Sequence, residues 1–406
     1  MKLMVGILIL LICCIGNAEW WVVLINRRHA LKFHHFVLSR IRKFHNCGIT
    51  LIPLVLVGVI GFRPGGLLTE GSWTTLSWPE QGLLIITGLG FVPLTAGVLR
   101  FHLRKFPARV QIEDSVLKRP LEEDLPHEIR ESMYGDASVL IRRFPWNQIW
   151  QLEVNRKRFQ IPPRQAASQA SESDQNSAAK SFTVAHFSDV HLIGKPGAAW
   201  QEFLVDELIA LKPDAFVFTG DLLDKVEWLD FAKQQFQRMN ETAPGYFILG
   251  NHDWHLNWEA IRCTLIDAGW TNLGEKHMNV PINGCDVLLA GTEAPWLGTN
   301  PVVPAPGSED FRILFSHSPD QRDYAVSSQF DVMLCGHNHG GQINLPMIGP
   351  VYSPSQFGVR YAGGCFQHKD LLIHVSRGTG AKDPLRIRCA PEISLLTLTH
   401  AEQWST

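Results

Sequence analysis

Five places in this 406-residue chain hold side chains able to do chemistry, and each follows the same pattern. A short apolar run is followed at once by acids, amides or histidines. Residues 182–187 lead to Ser188-Asp189-Val190-His191, and 215–218 lead to Thr219-Gly220-Asp221. Residues 246–249 lead to Gly250-Asn251-His252-Asp253, and 313–315 lead to Ser316-His317-Ser318-Pro319. Finally, 332–335 lead to Gly336-His337-Asn338-His339-Gly340-Gly341. Asp189, His191, Asp221, Asn251, His317, His337 and His339 offer carboxylate, amide and imidazole donors without a thiolate. That set suits Mn, Fe or Zn better than it suits a Cys-rich structural zinc site. Seven donors exceed the needs of one tetrahedral ion and suit two ions sharing a bridging carboxylate. Ions ~3.5–4 Å apart can clamp the attacking and leaving oxygens of a phosphoryl transfer. Taken singly, His191 could cap a helix and Asp221 could hold a turn. Five such motifs in one domain point to a shared centre, because unpaired buried polar groups are costly.

The apolar runs read as short buried strands, and amphipathic stretches at 200–211, 228–239 and 258–268 read as helices between them. The alternation predicts a layered α/β domain, in which ligands gather at the carboxyl ends of strands. Residues 146–161 alternate through Ile149, Leu152, Val154 and Phe159, as expected of a strand entering that domain. Residues 164–180 are rich in Ser, Ala and Gln and read as a disordered, exposed insertion. Residues 106–145 form a charged connecting segment without a usable motif.

Composition bounds the rest. Lys plus Arg is 37 against 39 Asp plus Glu, a net charge of -2, so no nucleic-acid partner is expected. The eight cysteines form no CxxC pair and read as reduced thiols. Apolar runs at 3–15 (continued at 20–25), 49–62 and 83–99 make residues 1–105 a membrane region of about three helices. A signal-peptide reading of residues 1–18 competes for the first run. The flanking charge argues against it. Arg27, Arg28, Lys32, Arg40, Arg42 and Lys43 follow the first run, and Arg100, Arg104, Lys105 and Arg109 follow the third, which puts both segments and the remaining chain on the cytoplasmic side. The stretch 27–45 reads equally as an ordinary basic loop or as a helix lying on anionic headgroups.

The motifs Asp189-x-His191, Gly220-Asp221-x-x-Asp224, Gly250-Asn251-His252-Asp253, His317 and Gly336-His337-x-His339 resemble the calcineurin-like metallophosphoesterase signature, over roughly 146–398 of a domain assigned to 146–406. Gly340-Gly-Gln-Ile-Asn-Leu-Pro, Tyr361-Ala-Gly-Gly and Val375-Ser-Arg-Gly resemble its membrane-associated bacterial branch. That branch holds YaeI- and YkuE-type phosphodiesterases and UDP-diacylglucosamine pyrophosphohydrolases of lipid A synthesis. Asn338 departs from the usual Thr or Ser and leaves the donor spacing intact.

The resemblance implies a four-layer αββα sandwich and a dinuclear site of two divalent ions, Mn foremost, with Fe or Zn as alternatives. Asp189, His191 and His339 would hold one ion, Asn251, His317 and His337 the other, and Asp221 would bridge them. A metal-bound hydroxide would attack, and His252 would protonate the leaving oxygen or stabilise its charge. Asp253 would orient His252 or cap a helix, and Asp224 reads as a supporting or turn residue. Arg377 fits either a substrate phosphate or a structural ion pair. Trp254, His255, Leu256 and Trp258 fit either an apolar rim or the buried face of a helix.

The expected function is hydrolysis of a phosphodiester or pyrophosphate of a lipid-linked substrate at the inner face of a bacterial inner membrane, with UDP-diacylglucosamine a named candidate. The alternatives are a phosphomonoesterase or protein phosphatase of the same fold, and a membrane scaffold with an inert domain.

Overall fold

The computed structural model describes residues 2–29, 35–120, 126–162 and 180–400, which divide into two units. The expected insertion at 164–180 lies outside the described residues apart from Lys180, as does Lys32 of the basic segment.

One unit comprises residues 105–345 and 361–406. Its strands in chain order are β1 Val110–Lys118, β2 Leu152–Ile161, β3 Ser181–Phe187, β4 Ala215–Phe218, β5 Gly245–Phe247, β6 Thr271–Asn272, β7 Lys276–Ile282, β8 Cys285–Thr292, β9 Phe311–Ser316, β10 Val332–Cys335, β11 Gly364–His368, β12 Leu371–Val375 and β13 Glu392–His400. They build a seven-stranded sheet of order β1-β2-β13-β3-β4-β5-β6 and a six-stranded sheet of order β11-β12-β10-β9-β8-β7. β3 to β6 run parallel, as do β8, β9, β10 and β12, while β1, β7 and β11 are antiparallel edges. Parallel runs need crossover connections, which here place the polar residues after β3, β4 and β5 at one end of their sheet.

The period of two sorts the core. Phe182, Val184, Ala215, Val217, Leu396 and Leu398 point inward between the sheets, where they meet Val287, Leu289, Ile313, Phe315 and Leu334. Ala185, Phe187, Phe216 and Phe218 point outward against Leu204, Leu208, Phe236, Met239, Ile261 and Leu265. Those six side chains come from helices Ala198–Ala210, Leu229–Asn240 and Trp258–Asp267, close to the three stretches expected. The result is an α/β sandwich of two facing sheets with helices outside, in which the helix between β9 and β10 is only Arg322–Ser327.

The unit boundaries differ from the sequence expectation at two points. The connecting segment supplies β1, which pairs with β2 at the sheet edge. Nearly all of β1 is exposed, so it lacks the apolar alternation that marks half-buried strands. Residues 346–360 depart from the domain they interrupt and belong to the N-terminal unit.

That second unit comprises residues 1–104 and 346–360. Lys2–Arg28, Lys43–Gly61 and Trp78–His102 are long and apolar enough to cross a membrane. The first is one continuous helix, Lys2–His29. The second contains Pro53 and ends in a π-helical turn, Leu56–Gly61, closed by Phe62 N–H to the Val57 carbonyl at 3.1 Å. The first and third helices pack closely: Trp20 Nε1 donates to the Ile86 carbonyl at 2.9 Å and Cys13 Sγ to that of Leu84 at 3.2 Å. Leu8, Leu11, Leu54, Val59, Ile86 and Val92 face outward. Within the same unit the Asn26 side chain accepts from Ser353 N–H at 3.3 Å, and His102 Nε2 lies 2.6 Å from the Met347 carbonyl.

Candidate metal centre

All seven predicted donors come together in the sandwich unit, on loops leaving β3, β4, β5, β9 and β10. Three groups, Asp189-His191-His339, His191-Asp221-His252 and Asp221-His317-His337, each have donor atoms within 4.8 Å of one another. Asp221 occurs in two of them and occupies the centre. Its Oδ2 is 3.2 Å from His317 Nε2 and 3.6 Å from His191 Nε2, and its Oδ1 accepts from His252 N–H at 2.8 Å. On one side, His339 Nε2 lies 3.5 Å from Asp189 Oδ1 and 3.1 Å from His191 Nε2. On the other, His317 Nε2 lies 3.1 Å from Asn251 Oδ1, and Trp296 flanks His337 with ring centroids 4.9 Å apart.

The backbone is bent to make this possible. Asp189, His191, Asp221, His337 and His339 adopt φ of 53°, 48°, 61°, 70° and 50°. Non-glycine residues seldom occupy that region, and clusters of them mark functional sites. Two glycines admit the close approach: a Cβ on Gly250 would collide with the Asp221 carboxylate and the His317 ring, and one on Gly336 with Ser188 and Asp189.

The electrostatics favour a cation. Asp189 and Asp221 are at most 1 % exposed. Burial works to lower the His317 pKa, but Asp221 and Asp189 outweigh it and the imidazole is pushed up to about 9. Two fully buried carboxylates surrounded by imidazole and amide donors, with no thiolate, fit a pair of divalent ions.

Asp224 accepts from both His191 Nδ1, at 2.8 Å, and His252 Nδ1, at 2.6 Å. Burial opposes its charge, but these two histidines hold its carboxyl well below the usual carboxylate range. Asp253, expected either to orient His252 or to cap a helix, takes the capping role: its carboxylate accepts from the N–H groups of Asp221, Leu222 and Gly250 at 2.9 Å each. Trp254, Leu256 and Trp258 are half-buried against the helical side of the core, which is the buried-face reading.

Two supports lie outside the motifs. Arg386, fully buried, donates to the carbonyls of His339 at 2.9 Å and Arg377 at 2.6 Å, and its Nη2 lies 3.1 Å from His339 Nδ1. Glu293 accepts from Leu249 N–H at 2.8 Å and pairs with Arg262 beneath the Asn251 turn.

Arg377 is engaged structurally, 2.8 Å from Glu153 and 2.9 Å from Glu392. Burial would raise the Glu392 pKa, but Arg377 and Lys157 reverse this and bring it down to about 2. A depressed carboxylate makes the unfolded chain bind more protons between about pH 4.5 and 2, so its stabilisation is present above that window and lost on acidification through it. From that shift, Glu392→Gln should cost about 3 kcal/mol at pH 7. The gap from wild type should close by pH 2 in thermal melts, and a gap independent of pH would contradict the charge assignment.

The sequence comparisons agree with this geometry. Residues 182–341 match the calcineurin-like phosphoesterase family. Phosphodiesterase YaeI of Escherichia coli is 31% identical over 204 residues, covering 48% of this chain and 75% of that protein. The uncharacterized metallophosphoesterase YkuE of Bacillus subtilis is 30% identical over 227 residues, covering 53% of this chain and 79% of that protein. The chain therefore belongs to the calcineurin-like phosphoesterase family, whose members use divalent metals. It is a hydrolase acting on phosphoester bonds.

Proposed function

We propose that this protein is a membrane-anchored hydrolase of phosphodiester or pyrophosphate bonds in a lipid-linked substrate, working with two divalent ions, Mn foremost. The observation that carries the dinuclear reading is the position of Asp221, whose carboxylate lies between His191 and His317. Asp189, His191 and His339 would hold one ion, Asn251, His317 and His337 the other, and Asp221 both. Bound ions supply Lewis-acid stabilisation of the phosphoryl oxygens and activate water as the nucleophile.

The chain's own residues do the rest. His191 and His317 donate their Nδ1 protons, to Asp224 and to the Thr219 carbonyl at 2.7 Å, which aims both Nε2 atoms at the centre, where bound ions would take their lone pairs. His252, with its side chain 25% exposed, uses Nδ1 on Asp224, which leaves Nε2 to protonate the leaving oxygen.

Three apolar helices support a substrate held in a bilayer, and the name of the E. coli relative supports a diester. The loop leaving His339 runs into residues 346–360, which belong to the unit containing those helices. The basic residues Arg27, Arg28, Arg40 and Lys43 support placing the catalytic unit on the cytoplasmic side.

Phosphorus NMR of products from full-length protein with Mn²⁺ tests the substrate. UMP and a lipid monophosphate from UDP-diacylglucosamine are the expected products. Turnover of a generic aryl diester alone would discard the lipid pyrophosphate. Turnover of monoesters alone would overturn the diester reading in favour of a phosphomonoesterase.

A further inference from the structure

The space between the two sheets should be apolar, yet a row of polar side chains runs through it. Lys157 on β2, His186 on β3, His374 on β12, and Glu392 and Ser394 on β13 all occupy inward positions of their strands. They share that parity with Phe159, Phe182, Val184, Leu372 and Leu396. All five are buried: His186, His374 and Ser394 show no exposure, Glu392 shows 3% and Lys157 5%. Such a buried row is costly unless every member is satisfied.

We propose that Lys157, His374 and His186 form a positioning chain for the metal centre, acting through Thr219 to fix the orientation and tautomer of His317. The inference rests on the dinuclear reading above.

The direction of the chain is set by donor inventory. A lysine Nζ offers protons and accepts none. Lys157 Nζ lies 2.9 Å from His374 Nε2 and 3.1 Å from Ser394 Oγ, with Glu392 Oε2 at 3.8 Å. His374 Nε2 must therefore accept, and the ring proton sits on Nδ1. That atom is 2.8 Å from His186 Nδ1, so His186 accepts there and carries its own proton on Nε2. His186 Nε2 then donates to Thr219 Oγ1 at 3.0 Å. Burial pushes both imidazoles down, His186 to about 3, so each carries a single proton, as this ordering requires.

Thr219 is the connection to the site. Its side chain is held by His186, and its carbonyl accepts from His317 Nδ1 at 2.7 Å. A carbonyl can only accept, so His317 keeps a proton on Nδ1 and aims Nε2 at Asp221 and Asn251, where a bound ion would take its lone pair. Partners of this kind orient metal-binding histidines, and removing them weakens metal binding. The chain thus links the second sheet, which carries His374, to the first, which carries Thr219 at the end of β4. Lys157, His374 and His186 touch no substrate and act through one another.

The test uses full-length protein stripped with a chelator and titrated with Mn²⁺. Thr219→Val keeps the shape but removes the acceptor, and Lys157→Met removes the donor. Both should bind at least one Mn²⁺ about 10–100-fold more weakly, while Thr219→Ser should stay within roughly threefold of wild type. Far-UV circular dichroism checks folding, and if Lys157→Met fails to fold, the Val and Ser pair decides. Histidine-selective ¹⁵N spectra of the wild type need no variant: His186 should be the Nε2–H tautomer and His374 the Nδ1–H tautomer. The opposite tautomers, or wild-type Mn²⁺ affinity in folded Thr219→Val, would overturn the positioning chain. A wild type that binds no Mn²⁺ would instead overturn the dinuclear reading, and this inference with it.

Discussion

Asp221→Asn should lower hydrolysis by about 10³-fold or more and leave the chain with at most one tightly held ion. The residue is the only one among the described donors whose carboxylate approaches both His191 and His317, at 3.6 and 3.2 Å. Asparagine retains an oxygen for the His252 N–H but loses the charge that would face both ions. The loop should keep its shape, because its amides are tied to Asp253 rather than to the Asp221 side chain. The effect should therefore appear as lost metal and lost rate in a folded protein. Metal analysis beside thermal melting reads both, and a folded Asp221→Asn protein with full metal content would remove Asp221 as a bridge.

The residues that do chemistry were legible because they sit directly after their strands. Each strand is a short, mostly apolar run of three to six residues, as expected of strands buried on both faces, and the polar donors begin where the apolar run ends. Chain order alone did not say how those donors are supported. The spacing Gly220-Asp221-x-x-Asp224 does not reveal that Asp224 reaches both His191 and His252. Asp253 sits beside His252 in sequence yet turns to the amides of the preceding loop. Arg386 and Trp296 belong to segments without a motif; only the fold brings Arg386 to His339, and the parallel pairing of β8, β9 and β10 brings Trp296 to His337. The edge strand β1 was hidden for another reason: a strand exposed on nearly all its length carries no period. His186, His374 and Lys157 break the inward apolar pattern, and that break was the available signal for the buried row.

His252→Ala should retain both ions and lose about 10²–10⁴ in rate on substrates with poor leaving groups. The residue lies within donor reach of His191 and Asp221, but its Nδ1 is committed to Asp224 at 2.6 Å, and its partial exposure suits contact with substrate. A general acid matters in proportion to the basicity of the departing oxygen. The loss should be largest for an alkyl or glycosyl phosphate and shrink to about tenfold for a nitrophenyl ester, whose oxygen departs without a proton. Asp224→Asn should reproduce the leaving-group dependence and add weaker metal binding, because Asp224 also holds His191. The two variants therefore separate the jobs of one carboxylate. If His252→Ala slowed good and poor leaving groups equally, the proton would come from elsewhere; if it lost metal, His252 would belong with the donors that its position beside Asp221 already permits.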